Sequence, residues 1–214
     1  SEALDRLLPE GENIIAVMGG TTMAVVAEQL SNLENKKRHN LFVPARGGIG
    51  EAITVQANSV SARMAAKANG NHRALYVPEQ LSLATYNSLL NEPSIQEVLN
   101  LISEANCVIH SIGRALHMAA RRKMTEKELV MLKQANAVAE SFGYFFNEKG
   151  EVVYKVPRIG IELQDLAKVP IIMAIAGGKS KAKAIRAYMK NAPKQTWLIT
   201  DEAAANEILK GVTL

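Results

Sequence analysis

The chain has 214 residues, and its 25 lysines and arginines outnumber its 21 aspartates and glutamates, so the formal net charge is +4. Hydrophobic residues make up 48% of the sequence, which at this length suffices for one sizeable core, in a single domain or two small ones. No apolar run reaches the roughly 18–20 residues of a membrane span, a lone Cys107 excludes a disulfide framework, and 5% aromatic residues are too few for a single-strand nucleic-acid surface.

Apolar runs alternate with amphipathic segments through the first half of the chain. In order, the pattern predicts a strand over 13–18, a helix after Gly19-Gly20, a strand over 40–44, a helix over about 54–68, a strand over 73–77, helices over about 81–90 and 94–104, and a strand over 106–110. Gly113 is expected to open a short helix, and Thr125 to cap a helix over 126–134 with Glu128 in the capping-box position.

The pattern changes in the second half. Aromatic and β-branched residues around 137–153 flank an Asn-Glu-Lys-Gly turn, which predicts a β-hairpin. A buried strand follows over 170–176, then Gly177-Gly178 and a basic helix, a strand over 195–200, and a helix that Asp201 caps and that ends near Lys210. Alternating strands and helices with short glycine-rich links predict one α/β domain over residues 1–214, with a Rossmann-like, mostly parallel sheet, helices on both faces and a small hairpin excursion.

Two strand–Gly-Gly–helix junctions are candidates for binding an anion, because glycine allows close backbone approach and a helix N-terminus offers N–H groups. At the first junction Gly20 is followed by Thr21 and Thr22, whose hydroxyls add donors. The alternative is a tight turn in which one threonine serves only as an N-cap. The second junction carries Lys179 and Lys181 but lacks the first glycine of a P-loop, so nucleotide triphosphate hydrolysis is not expected.

Other polar residues have competing interpretations. Arg46 follows a predicted strand and offers a planar fork for a phosphate or carboxylate. Glu140 lies in an apolar stretch, so its burial calls for a sugar hydroxyl or a basic side chain as partner. Arg121 and its two basic neighbours are explained by the end of a helix, where cations suit the dipole. No metal-ligand motif is present, and we expect neither a metal nor a cofactor.

The charge is unevenly distributed. Residues 1–35 carry a net charge of −5, residues 36–123 carry +6 and residues 124–214 carry +3. Residues 179–194 contain six basic side chains and no acidic one, which is typical of a solvated helix face but also suits an anion site. A pI near 9.1 fits either interpretation and does not establish DNA binding.

Three stretches together resemble the sugar-binding domain of SorC/DeoR-type bacterial transcription regulators. They are Gly19-Gly20-Thr21-Thr22, the segment VPARGGIGEAITVQANSVSARMA, and the ending AIAGGKSKAKAIRAY with WLITDEAAANEIL. The middle segment FGYFFNEKGEVVYKVPRIGIEL is similar to the same family, so the resemblance covers essentially the whole chain.

The resemblance implies the residues of an effector site. The family's phosphate loop corresponds to Gly20, Thr21 and Thr22, with Arg46 and either Lys179 or Lys181 at the same phosphate. It also assigns Gln56, Arg121 and Glu140 to the sugar and its second phosphate. Of these, Arg121 is placed at the second phosphate.

The resemblance further implies a cytoplasmic repressor of glycolytic genes whose effector is a phosphorylated sugar, in this branch fructose 1,6-bisphosphate. No signal peptide is visible, and no membrane partner is expected. The family contacts operator DNA through an N-terminal helix-turn-helix domain, which we do not expect within these 214 residues. A homodimer or homotetramer is implied by binding to palindromic operators.

The family's fold is related to sugar-phosphate isomerases and deaminases, which supplies an enzymatic alternative. An isomerase needs an acid and a base close to its substrate. Only Glu140 and Asp201 are candidates, and Asp201 is better explained as a helix cap. We therefore expect a binding domain rather than an enzyme.

Overall fold

A computed structural model of the chain describes residues 1–31, 33, 37–48, 52–77 and 83–210. The chain divides into two compact units. The first contains Ser1–His110 and Pro157–Met173, and the second contains Ser111–Val156 and the chain from Ala174 onward.

Helices and strands alternate along the described residues. Up to residue 111 they are α1 (Glu2–Leu7), β1 (Gly11–Val17), α2 (Thr21–Gln29), β2 (Arg38–Pro44), a 3-10 turn (Ile53–Val55), α3 (Ala57–Lys67), β3 (Asn71–His72), α4 (Leu83–Leu90), α5 (Pro93–Ser103) and β4 (Cys107–Ser111). Beyond it are β5 (Gly113–Arg114), α6 (Ala115–Arg121), α7 (Glu126–Gln134), β6 (Ala137–Ser141), β7 (Tyr144–Asn147), β8 (Val152–Lys155), a 3-10 helix (Leu163–Lys168), β9 (Ile171–Ile175), a 3-10 turn (Lys179–Lys181), α8 (Ala182–Met189), β10 (Thr196–Ile199) and α9 (Glu202–Leu209).

The larger sheet confirms the predicted α/β class. Its six strands have the order β10-β9-β4-β1-β2-β3. The pairs of β1 with β2, β1 with β4 and β2 with β3 are parallel, and Val17 lies opposite Pro44 where β1 and β2 end. Helices α3 and α5 pack on β1 and β2. The inner residues of both strands are buried, as expected for parallel strands covered by helices.

The predicted hairpin is one part of a second sheet, which has the strand order β5-β6-β7-β8 and antiparallel pairing. The Asn-Glu-Lys-Gly turn joins β7 to β8 as predicted. A second tight turn, at Phe142 and Gly143, joins β6 to β7 with φ angles of 54° and 84°. Two successive positive φ angles suit a two-residue hairpin turn. Because phenylalanine rarely adopts a positive φ, the residue types did not predict this turn.

Two predicted elements are wrong in position. The strand expected over 73–77 is instead β3 at 71–72, because the Asn58 side chain, rather than a neighbouring strand, bonds both the N–H and the carbonyl of Leu75 at 2.9 Å. Gly113 does not open a helix: it pairs with Glu140 between strands, and α6 begins at Ala115. Of the helix expected over 81–90, residues 81 and 82 lie outside the described residues.

The predicted helix starts are confirmed at α7 and α9. The Thr125 side chain accepts from the Glu128 N–H, and Glu128 accepts in return from the Thr125 N–H at 2.8 Å, which completes a capping box. Asp201 accepts from the Ala204 N–H at 2.8 Å and caps α9.

A compact core in the second unit joins its small sheet to its helices. Its buried members come from α6, α7, β6 and β7, and they are Ala115, Ala119, Leu132, Ala137 and Phe145. The Phe145 ring meets Tyr154 edge to face at 5.9 Å, and helix α8 packs on β6 and β7. This core fixes the end of α6 and the strand that carries Glu140.

Candidate functional site

The loop between β1 and α2, in the first unit, packs its glycines against the segment that carries Gln56. Gly20 donates its N–H to the carbonyl of Val55 at 2.8 Å. A Cβ on Gly19 would lie 2.6 Å from the same carbonyl oxygen, so only glycine allows this approach. Gln56 therefore lies next to the loop at the N-terminus of α2.

Thr21 and Thr22 are the first two residues of α2 and do not cap it. The N-cap is Gly20, with a φ of 123°, and no side chain caps the helix. The interpretation in which a threonine serves only as the cap is therefore wrong. A helix that begins without a side-chain cap offers the positive end of its dipole and its first N–H groups to an anion.

Arg46 lies at the edge of the sheet where β1 also ends. The preceding Ala45 donates its N–H to the carbonyl of Val17, the last residue of β1, at 2.8 Å. Arg46 is 4% exposed, and its Nε and Nη1 atoms are buried without a hydrogen-bond partner. Because a buried, incompletely bonded cation is costly, this guanidinium favours an anionic ligand.

Arg158 is a second arginine of the first unit with buried, unpartnered nitrogens, Nε and Nη1. Its segment lies against the end of β2, since Arg46 forms an antiparallel bridge with Gly160 and Gly47 donates to the Ile159 carbonyl at 2.9 Å. Burial lowers the pKa of Arg158 to about 10. Sequence reasoning missed this residue, because its burial depends on a contact between segments more than 100 residues apart.

Three cationic side chains of the second unit act on one another electrostatically. Lys181 directly precedes α8, Arg121 ends α6 and Arg114 directly precedes α6. Burial lowers the pKa of Lys181 from its ordinary value, and the positive charges of Arg114 and Arg121 lower it further. An anion relieves such repulsion, so this group can bind a phosphate. Arg121 and Lys181 were predicted; Arg114 was not.

The Gly177-Gly178 junction supports only one of its two predicted lysines. Lys179 is exposed, and its Nζ lies 3.7 Å from Oε2 of Glu207. The Gly178 N–H is already bonded to Oδ2 of Asp201 at 2.6 Å, so this loop amide is occupied by a carboxylate of the chain. Lys181 is therefore the better candidate for a phosphate. Asp201 bonds both the Gly178 N–H of the loop and the first turn of α9.

Many of the basic side chains over 179–194 lie on a solvated surface. This is one of the two interpretations that the composition of the run left open. The exposed Lys183 pairs with Glu148, and the Lys190 Nζ donates to the Glu148 carbonyl at 2.9 Å. Lys181 is the exception, because its side chain is partly buried beside two arginines.

Glu140 is buried, and the partner that its burial required is a basic side chain. Its Oε1 accepts from Nη2 of Arg122 at 2.7 Å and from the Gly143 N–H at 2.7 Å. The basic residues at the end of α6 thus have different roles: Arg121 acts on Lys181, while Arg122 pairs inside the unit. Sequence reasoning treated these adjacent cations alike and missed the pair.

The remaining candidates for a nucleophile, a metal site or a membrane span are not supported in the described residues. Cys107 is fully buried, and burial raises the pKa of its thiol to about 12, so it is no nucleophile. Within the described ranges, histidine, cysteine and acidic side chains nowhere gather in threes to hold a metal ion. No helix of the described chain combines the length and apolar character of a membrane span.

Comparison with known proteins adds relatives to this geometry. Residues 1–210 match the Sugar-bind family, described as a sugar-binding domain. The central glycolytic genes regulators of Bacillus subtilis and Priestia megaterium are 50% and 49% identical over 94% and 93% of this chain. The chain spans 58% of the length of each of these two relatives.

A solved structure agrees with both the sequence and the fold. The crystal structure of a protein described as a SorC family transcriptional regulator, from Enterococcus faecalis, superimposes with a TM-score of 0.92 at 77% identity. The superposition covers 97% of this chain and 84% of the Enterococcus faecalis chain. Together with the family match over nearly the whole sequence, this similarity shows that the chain belongs to the sugar-binding domain family of SorC/DeoR-type transcription regulators.

Proposed function

We propose that this chain is the effector-binding domain of a transcriptional repressor of glycolytic genes, and that its effector is a phosphorylated sugar, fructose 1,6-bisphosphate. The observation that carries the proposal is Arg46, whose guanidinium is buried at the edge of the parallel sheet with two nitrogens unpartnered. Ligands of open α/β sheets bind beyond this edge. The names of the two glycolytic relatives support the choice of pathway.

Each of the two units carries groups suited to a phosphate. The first has Gly20, Thr21 and Thr22 at a helix N-terminus, with Gln56 and Arg46. The second has Lys181 and Arg121, with Lys179 as the weaker predicted residue and Glu140 as an acceptor for a sugar hydroxyl. In this proposal Arg158 adds to the positive charge beside Arg46.

A thermal-shift panel of glycolytic phosphosugars tests this function. A ligand present at 100 times its Kd stabilises a protein by about 2.7 kcal/mol, which at about 2–4 °C per kcal/mol raises Tm by roughly 5–11 °C. Fructose 1,6-bisphosphate is expected to give the largest shift. Arg46→Ala should abolish it, whereas Arg73→Ala should not, because Arg73 is an exposed arginine of the same unit.

We further propose that the whole protein contacts operator DNA through an N-terminal domain outside these residues and acts in the cytoplasm as a homodimer or homotetramer. The greater length of the relatives named as regulators supports this. Effector binding alters DNA binding only if the effector binds two states of the protein unequally, since a ligand with equal affinity for two states shifts neither; in this proposal the two states differ in assembly. Sedimentation of the whole protein on operator DNA, with and without fructose 1,6-bisphosphate, should show a ligand-dependent change.

The isomerase alternative receives no support from the two candidate carboxylates. Asp201 bonds two backbone N–H groups, and Glu140 bonds a guanidinium and a backbone N–H through one oxygen. Incubation with fructose and ribose phosphates should leave every substrate unchanged. Turnover of any of them would contradict a function in binding alone.

A further inference from the structure

The ion pair between Arg122 and Glu140 is buried within the second unit and asymmetric. Their side chains are 4% and 5% exposed. Oε1 of Glu140 accepts two hydrogen bonds at 2.7 Å, from Nη2 of Arg122 and from the Gly143 N–H. Oε2 takes part in neither of these two bonds. One carboxylate oxygen is therefore occupied, and the other keeps its capacity to accept.

Arg122 is held by its surroundings and not by further hydrogen bonds. Its guanidinium lies over the Phe145 ring at 5.8 Å from the centroid, and Nε and Nη1 are buried without partners. Its backbone N–H bonds the Met118 carbonyl at 3.1 Å at the end of α6. The side chain thus serves a single hydrogen-bond acceptor, Glu140.

Stability alone does not account for such a pair. Replacing a buried ion pair by apolar residues of similar volume is often neutral or stabilising, whereas removing one partner is strongly destabilising. A fixed carboxylate with one unoccupied oxygen is, however, well suited to bind a hydroxyl group. A site built to bond a hydroxyl discriminates strongly against a ligand that lacks it.

We propose that Arg122 is a positioning residue for effector selectivity: it fixes Oε1 of Glu140 so that Oε2 accepts a hydrogen bond from a hydroxyl of the bound sugar. The ligand class is a polyhydroxylated phosphate ester, in contrast to a phosphate ester without hydroxyls. This inference rests on the proposed function, because it presumes that a phosphosugar reaches Glu140.

The test compares two bisphosphates of similar length by calorimetry: fructose 1,6-bisphosphate and hexane-1,6-diol bisphosphate, which lacks sugar hydroxyls. The variants are Arg122→Met, Arg122→Lys and the double variant Arg122→Met/Glu140→Leu. The double variant leaves no unpaired buried charge and keeps the test available if Arg122→Met does not fold. Each is measured well below its own unfolding midpoint.

Loss of the oriented acceptor is expected to weaken fructose 1,6-bisphosphate at least about tenfold in Arg122→Met and in the double variant. Hexane-1,6-diol bisphosphate should change by less than about threefold, so the selectivity ratio collapses. Arg122→Lys should recover part of the ratio, because the charge remains but the planar fork does not.

Equal weakening of both ligands, or an unchanged ratio, would overturn the positioning role while leaving the proposed function intact. If the wild-type chain binds neither bisphosphate, the proposed function fails, and this inference fails with it. The two failures are therefore distinguished by the wild-type measurement alone.

Discussion

Replacing Arg122 by methionine removes the cation of the buried pair and leaves the Glu140 carboxylate with a single backbone N–H as donor. The pair is an informative target because its two side chains are only 4% and 5% exposed, so little water reaches the place of the lost partner. The substitution also removes the contact of the guanidinium with the Phe145 ring.

Breaking a buried ion pair costs about 3–5 kcal/mol, because an uncompensated charge stays in the interior. For a chain of this size about 2–4 °C of Tm corresponds to 1 kcal/mol, so Tm should fall by roughly 6–20 °C. Substituting Glu140 by leucine in the same chain removes the stranded charge. The double variant should therefore return to within about 1 kcal/mol of wild type.

Lys210→Met is the matched control for this prediction. Lys210 pairs with Glu207 at the same N–O distance of 2.7 Å, but those side chains are 64% and 31% exposed. The control should change stability by less than about 1 kcal/mol. Urea and thermal unfolding followed by circular dichroism measure all three variants. An Arg122→Met variant as stable as the control, or a double variant as unstable as Arg122→Met, would show that the buried charge of Glu140 does not depend on Arg122.

Three further predictions concern other parts of the structure. Thr125→Ala should lower the free energy of unfolding by about 1 kcal/mol, because it removes the capping box with Glu128, whereas Thr125→Ser should not; urea unfolding decides. Burial and two neighbouring arginines lower the pKa of Lys181, so the protonated lysine destabilises the folded state at neutral pH, and stability should rise as pH increases through the folded-state pKa. Lys181→Met should abolish that rise, and an identical pH profile in the variant would contradict the argument. Cys107, whose pKa is raised to about 12, should react with a thiol reagent at pH 8 only on unfolding; rapid native labelling would show that the strand is accessible.

Much of the fold could be predicted from local sequence. The buried parallel strands read as continuous apolar runs, and Thr125 and Asp201 carry capping signals that the structure contains. The failures arose where side chains or turns replace regular pairing. Asn58 satisfies the backbone of Leu75 in place of a strand, and Phe142 occupies a positive φ that its residue type does not suggest.

The candidate site could be predicted in part, for a similar reason. Glycines and threonines at a strand–helix junction are local signals, so Gly20 and its neighbours were recognisable. Arg122 and Arg158 were not, because their burial depends on residues distant in sequence: Glu140 for the first and the end of β2 for the second. Only such contacts distinguish a buried cation from a surface one, and composition does not reveal them.

Titration calorimetry of the chain with fructose 1,6-bisphosphate, in parallel with Arg46→Ala and Arg73→Ala, measures whether Arg46 holds a phosphosugar. We expect saturable binding to wild type and to Arg73→Ala, and a loss of at least about tenfold in Arg46→Ala, whose guanidinium is buried with two nitrogens unpartnered. Absence of binding to the wild-type chain at millimolar ligand, or equal affinity in all three proteins, would contradict this expectation.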